Sequence, residues 1–252
     1  MAVKFFPTVA LFFGLLAVSR AAWSVSSSET DKGFVAGVEH RRIVLSESVS
    51  SEEATVDLAL FSMKSATVRV IDNPKGEDDL PTVARRVRGV AGVNGGYFDP
   101  QNAPVGLLIS DGKLIAPFRK ARLLSGVLVV NKTRIELMRT GEYSSRKNVA
   151  AALQCGPFLV DGGRATAGLN NTRPARRTFV LTMAPERAAI GFCSMVTLAQ
   201  LGDILAIPEL KTQRALNLDG GSSSAFWFAG ERGLFSVPEE KTVRDFVIVT
   251  PK

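Results

Sequence analysis

Two glycine-rich stretches carry the groups in this chain that could do chemistry. The first is Leu216-Asn217-Leu218-Asp219-Gly220-Gly221-Ser222-Ser223-Ser224. Ala215, Leu216 and Leu218 read as the end of a buried strand, and the Asp219 carboxylate sits where that strand stops. Glycines let the backbone approach a ligand closely or take a positive φ. Serine hydroxyls and freed backbone N–H groups can then grip an anionic or polyol ligand. The second stretch, Val93-Asn94-Gly95-Gly96-Tyr97-Phe98-Asp99, repeats the order of apolar strand, polar residue, glycine pair and carboxylate. Asp-Gly is also a hairpin signal, so either stretch alone reads equally well as a turn. Together they point to one site built from two strand ends.

The chemistry on offer is that of carboxylates, amides and guanidiniums. Asp219 and Asp99 form a pair suited to glycoside hydrolysis, one supporting or attacking the anomeric carbon and one moving protons. Arg177 and Arg244 could clamp a phosphate with their fork of donors. Asn94 could orient a sugar hydroxyl or a water, or cap a turn. The single histidine, His40, lies in a charged strand far along the chain from both stretches and reads as exposed. A Ser-His-Asp or Cys-His mechanism would have to use it. Phosphate-loop and dinucleotide fingerprints are absent. Two cysteines, Cys155 and Cys193, with one histidine fall short of a usual structural zinc site. In an oxidising compartment the two could form a disulfide worth about 4 kcal/mol; two buried free thiols are the other reading. No cofactor is expected, and a divalent cation stays open.

Strands must position these groups. Residues 38–46, 54–61 and 67–72 read as three strands, with alternation over Val56-Asp57-Leu58-Ala59-Leu60. Pro81 starts a short helix that Gly89 ends. Residues 90–93 then form a buried strand into Asn94. Hairpins follow at 105–115 and 126–138, then a helix at 147–153 and a strand at 156–160. Asp161-Gly162-Gly163 reads as a hairpin turn. Strands at 179–183 and 188–193 precede a helix capped by Thr197. The strand 215–218 runs into the first stretch, and 243–249 is the last strand, with Arg244 and Asp245 near its start. Many strands with two or three helices predict a single α+β domain with a large mixed, mostly antiparallel sheet.

The 252 residues are 46% hydrophobic, enough for one large core. The net charge of +7 is dispersed, and no basic tract is interleaved with aromatics. That pattern argues against nucleic acid and fits an anionic substrate or an envelope surface. Residues 1–22 have the form of a signal peptide: Lys4, an apolar run from Phe5 to Val18, and small residues near Ala21 and Ala22. The run is short for a membrane span, so the mature chain is expected to be exported, periplasmic or secreted, without a stable span. Residues 23–36 are Ser-rich and read as a flexible lead-in to a domain over 37–252. Asn131-Lys132-Thr133 and Asn170-Asn171-Thr172 fit the glycosylation pattern.

At Asn94-Gly95-Gly96-Tyr97-Phe98, Gly156-Pro157, Arg177-Thr178 and Asn217-Leu218-Asp219-Gly220-Gly221-Ser222-Ser223 the chain resembles the phosphodiester glycosidase family. The likeness covers roughly residues 37–250. The best-known member of that family removes N-acetylglucosamine from a sugar-1-phosphodiester, and its bacterial relatives are exported and often linked to exopolysaccharide. The resemblance implies an α+β fold with the site at the strand ends, and hydrolysis of a sugar-1-phosphodiester. It implies catalytic roles for Asp219, Asp99 and Asn94. It implies substrate contacts from Gly95, Gly96, Phe98, Gly156, Arg177, Thr178, Gly220, Gly221, Ser222, Ser223 and Arg244. Ser222 stands where the family often has a third glycine, and Phe179-Val180-Leu181 follow Arg177-Thr178 where small residues and glycine are usual. Three other readings remain: an envelope protein that binds glycan without cleaving it, a metal-dependent phosphodiesterase, and a structural secreted domain in which each glycine pair is a turn.

Overall fold

The computed structural model describes residues 22–132, 134–145, 148–184 and 186–252. Strands β1 (Trp23–Lys32), β2 (Val38–Glu47) and β3 (Glu53–Ser62) form an antiparallel meander. β4 (Ala66–Asp72) leads through helix α1 (Leu80–Arg86) to β5 (Ala91–Asn94). Two hairpins follow: β6 (Leu108–Ser110) with β7 (Lys113–Ala116), and β8 (Gly126–Val130) with β9 (Ile135–Arg139). Then come β10 (Ala151–Cys155), β11 (Phe158–Asp161), β12 (Arg164–Ala165) and the long hairpin of β13 (Ala175–Met183) and β14 (Arg187–Val196). Helix α2 (Leu198–Leu205) turns the chain into β15 (Thr212–Asn217). β16 (Phe226–Gly230), β17 (Gly233–Val237) and β18 (Asp245–Pro251) close the fold.

The domain is α+β and its strands pair antiparallel, as expected, and they divide among three sheets. Their orders are β1-β2-β3-β14-β13-β15-β11-β12, β7-β6-β10-β8-β9 and β17-β16-β5-β18-β4. Parallel neighbours need a crossover, usually a helix. One such crossover runs from β4 through α1 to β5. The last strand, β18, then fills the gap between them and pairs antiparallel with both. This insertion brings the start of β18 beside the end of β5, and so Asp245 beside the glycine pair at 95–96.

Local chemistry explains the helices. Asp79 caps α1 by accepting from Thr82 N at 2.8 Å, and Pro81 lies in its first turn. Thr197 and Gln200 form a reciprocal capping box on α2. The three sheets meet on one core containing Phe61, Val93, Leu153, Phe158, Leu216, Phe226 and Val247. α2 covers a second apolar layer on the eight-stranded sheet, and α1 packs on Phe246, Ile248 and Trp227.

Two element expectations differ from the structure. Trp23–Lys32 is a strand paired along β2, not a flexible lead-in. Its side chains are mostly exposed, so its order comes from backbone pairing that composition does not register. Residues 147–153 do not form a helix: β10 begins at Ala151, and Lys147 lies outside the described residues. All five residues of β10 are buried between β6 and β8, which removes the alternation that marks a half-buried strand. Residues 1–21 of the signal segment, and Thr133 of one glycosylation pattern, lie outside the described residues. No helix among the described residues is long and apolar enough to cross a membrane.

Phe246 is fully buried against α1, whereas Leu234 is 62% exposed. Phe246→Ala is expected to lower unfolding free energy by about 3–5 kcal/mol, and Leu234→Ala by less than about 0.5 kcal/mol. Chemical denaturation of the two variants checks the difference.

Candidate active site

The site lies where strand ends from two sheets converge. β5 and β18 are neighbours in one sheet, with Asn94 opposite Phe246. β13 and β15 are neighbours in another, with Phe179 opposite Asn217. Asn94, completely buried, ties the two together. Its Nδ2 donates to the Asp219 carbonyl at 2.7 Å, and its Oδ1 accepts from Ala225 N at 3.1 Å. The Thr178 hydroxyl lies 2.7 Å from Asn94 Oδ1, 3.0 Å from the Asp219 carbonyl and 3.2 Å from Ser224 Oγ. With one proton to give, it can donate to one of these and accept from Ser224. Asp219 N closes the junction by donating to the Gly95 carbonyl at 3.0 Å.

This frame fixes the backbone at Asp219 and leaves its carboxylate partly open at the surface. Oδ1 accepts from Gly220 N at 2.9 Å. Burial raises the Asp219 pKa above the ordinary 3.8, against the weaker pull of Ser223, Lys241 and the Gly220 N–H. Gly221, with φ of 63°, opens a single 3-10 turn, Gly221–Ser223, which has no side-chain cap. Ser222 is exposed at its tip, and the buried Ser223 hydroxyl lacks a partner in hydrogen-bond geometry.

Two cations lie at this loop, Lys241 with its charge reaching Asp219 and Arg177 facing Gly220. The Arg177 Nε donates to the Val196 carbonyl at 3.0 Å and one terminal nitrogen to the Arg173 carbonyl at 2.6 Å. Its other terminal nitrogen faces Gly220, 3.6 Å from where a Cβ would stand. Burial lowers the pKa of this half-buried guanidinium from 12.5. Lys241 lies over the half-buried Phe98 ring, 5.0 Å from its centroid, and its charge reaches Asp219. Among the described residues neither cation has a carboxylate within ion-pair distance. Tyr97 completes the wall: its hydroxyl donates to the Gly156 carbonyl, and Asn217 Nδ2 reaches both groups, at 3.2 and 3.0 Å. Burial is the main reason the Tyr97 hydroxyl keeps its proton, with Asp219 adding to it.

Asp245 is the acid that sequence reasoning passed over. It is completely buried, Oδ1 accepts from Gly96 N at 2.9 Å, and its carbonyl accepts from Gly95 N at 2.8 Å. A Cβ on Gly95 would stand 1.8 Å from Oδ1, so this carboxyl occupies the space the glycine leaves. Its position beside Arg244 at the mouth of the last strand was the available signal. Lys241, in a polar loop without a motif, offered none.

Several expected site residues turn out to be engaged elsewhere. Asp99 stays in its own loop, where Oδ1 accepts from Gln101 N at 2.9 Å and Ala103 N at 2.8 Å. Arg244 is held by Asp72, at 2.8 Å from both Nε and a terminal nitrogen, and its remaining nitrogen donates to the Asn102 carbonyl at 2.9 Å. Gly156 contributes its carbonyl, and its missing Cβ makes room for the Leu123 carbonyl. Gly96 likewise has Leu153 where a Cβ would go. Cys155 and Cys193 are free buried thiols, and they sit in separate core clusters. His40 is buried, not exposed: it bonds Asp57 at 2.8 Å and stacks on Phe235. Its charged neighbours, Asp57 and Arg42, belong to the β2–β3 region and not to the site.

A three-sheet α+β domain with this strand-end site defines a class. The phosphodiester glycosidase family model matches residues 88–250, and the chain belongs to that family. The fold is similar to the catalytic domain of zebrafish N-acetylglucosamine-1-phosphodiester alpha-N-acetylglucosaminidase, a structure auto-inhibited by its pro-peptide. The TM-score is 0.67 at 15% identity, over 90% of this chain and 88% of that one. It is similar also to a hypothetical protein from Synechocystis, with a TM-score of 0.68 at 13% identity over 92% and 68% of the two chains. A Burkholderia pseudomallei protein described as exported gives 0.50 at 13% identity, over 80% and 75%. No curated protein matches the chain.

The two glycine stretches tolerate a side chain differently. Gly95→Ala places a methyl in the Asp245 carboxyl, whereas Gly221→Ala meets open space at a positive φ. The second is expected to cost about 1–2 kcal/mol of backbone strain, and the first clearly more. Urea unfolding of both variants tests the order.

Proposed function

We propose that the protein hydrolyses the glycosidic bond of a sugar-1-phosphodiester and releases the free sugar and a phosphomonoester. The observation that carries this reading is Asp219: a partly buried carboxylate that the Lys241 charge reaches, with Arg177 facing the adjoining Gly220, neither cation having a carboxylate within ion-pair distance among the described residues. A carboxylate with two cations at its loop suits a substrate with an electron-poor anomeric carbon next to a phosphate. In the reaction the anomeric C–O bond breaks and its electrons leave with the phosphate oxygen. Positive charge grows on the sugar ring and negative charge on the departing phosphate. Asp219 supports the first or activates the water that attacks it; Arg177 and Lys241 support the second. A phosphomonoester is already a good leaving group, so charge stabilisation matters more than a strong general acid.

Within this reading Asn94 and Thr178 are positioning residues, since they hold the Asp219 backbone and are buried away from solvent. Phe98, Gly220, Gly221 and Ser222 line the approach. No step is assigned to a metal. The mature chain acts outside the cytoplasm, a reading supported by the form of residues 1–22 and by the likeness to a protein described as exported.

Incubating the mature protein with a panel of α-glycosyl-1-phosphodiesters, with and without chelator, tests this. Asp219→Asn is expected to lose about 10³-fold in kcat/KM, and Arg177→Ala about 10²-fold, mostly in phosphate recognition. Asp99→Asn keeps turnover, because an amide oxygen can accept the same two loop bonds. The acid limb of the rate profile lies above the ordinary Asp range, because the ionised Asp219 is the working form and burial raises its pKa. Tight glycan binding with no turnover would point instead to a binding protein.

A further inference from the structure

Asp245 is a buried acid that the proposed hydrolysis does not itself use. Its environment is on balance hostile to a negative charge. Asp72 approaches from β4, and Asp219 from the loop after β15. The Cys155 thiol faces it from β10. Arg244, its chain neighbour, is the one cation nearby, and that guanidinium is already bound to Asp72. Of the two carboxyl oxygens, Oδ1 has the Gly96 N–H and Oδ2 is buried with no partner. A fully buried carboxylate with one satisfied oxygen is costly, and water can reach it only if the turn over it opens.

That turn is Gly95–Gly96, and it packs on Asp245 with no space for a side chain. The same turn holds Asp219, because the Gly95 carbonyl accepts the Asp219 N–H. Asp245, Gly95 and Asp219 therefore form one chain of contacts from the core to the mouth of the site.

We infer that Asp245 is a positioning residue that works in its neutral, protonated form, and that loss of this proton, although it tightens the Gly96 N–H bond, draws water to the unpartnered oxygen, loosens the packing against Gly95 and disables Asp219. The inference deepens the hydrolase reading and rests on it for its activity measurement. Burial, with Asp72 and Asp219 adding to it, pushes the Asp245 carboxyl up to about 7, while the Gly96 N–H and Arg244 pull it down. Asp219 adds only weakly to the burial that holds Asp245 neutral, and the partly open Asp219 is the easier of the two to charge, so the working state has Asp219 charged and Asp245 neutral. The consequence is a rate that falls on the neutral side of the profile as well as on the acid side.

The test compares wild type, Asp245→Asn and Asp245→Ala as full mature chains. Across the phosphodiester panel, wild-type kcat/KM is expected to fall roughly tenfold from about pH 6 to about pH 8. Asp245→Asn, which mimics the neutral acid, keeps the low-pH rate and loses that fall. Asp245→Ala, which leaves the Gly96 N–H bare, is slow throughout. A folded Asp245→Asn that is inactive, or that falls with pH as wild type does, overturns the inference. If no panel member is turned over, the hydrolase reading fails by itself and the inference is judged on the fold. A native pKa above the unfolded one means stability that is full at low pH and lost as pH rises toward the native pKa. The melting temperature of Asp245→Asn minus that of wild type should therefore widen as pH rises from about 4 to about 7 and level off above; a gap that stays constant across that window overturns the inference. Carbon-13 NMR of wild type labelled at the aspartate carboxyls needs no variant. One carboxyl titrating near neutrality is expected, and ordinary titration of all of them overturns the inference.

Discussion

The site depends on one buried amide. Asn94 is the last residue of its strand, and its side chain has no contact with water. Its donor holds the Asp219 carbonyl, and its acceptor serves Ala225 N–H and the Thr178 hydroxyl. These partners come from three other parts of the chain, more than eighty residues away in each case. Leaving any of them unpaired in the interior would cost on the order of 1–3 kcal/mol. An amide donates to a carbonyl and accepts from an N–H and a hydroxyl together, whatever the pH. An aspartate there could not donate to the Asp219 carbonyl when ionised, and an aliphatic residue would strand the Ala225 N–H and leave the Asp219 carbonyl to Thr178 alone.

The topology makes that junction possible. β18, inserted between the two strands of the α1 crossover, delivers Asp245 under the glycine turn. Gly95 is then required by close approach and not by its φ, while Gly221 is required by its φ and meets open space. The two glycine stretches look alike in sequence but answer to different constraints. Charge is distributed by the same logic. Arg244 and Arg176 are consumed in tying loops, Arg244 to Asp72 and Arg176 to Glu240. Among the described residues Arg177 and Lys241 have no carboxylate within ion-pair distance.

Much of this was legible in the sequence, and the limits have physical causes. Asn94, Asp219, Thr178 and Arg177 were marked by motifs at strand ends, and the structure brings them together. Asp99, read as the second acid, bonds its own loop, because a carboxylate after a glycine pair can serve its own turn as readily as a ligand. Arg244 and Asp245 are adjacent, and neighbours along extended chain point opposite ways. One of them had to face the core, and the sequence alone does not say which. β1 and β10 were misread for opposite reasons. The first exposes most of its side chains and the second buries all of them, and both erase the period of two on which strand reading depends. His40 looked solvated because its strand is charged, yet its partner, Asp57, lies on the neighbouring strand where no local pattern reveals it.

The central claim is that the bond broken is between sugar and oxygen, not between phosphorus and oxygen. Hydrolysis of a sugar-1-phosphodiester in ¹⁸O-labelled water reads this directly, by mass spectrometry of both products. The account requires the label on the anomeric hydroxyl of the released sugar and none in the phosphomonoester. Label in the phosphate would mean attack at phosphorus, and Asp219 with Arg177 and Lys241 would then belong to a different reaction.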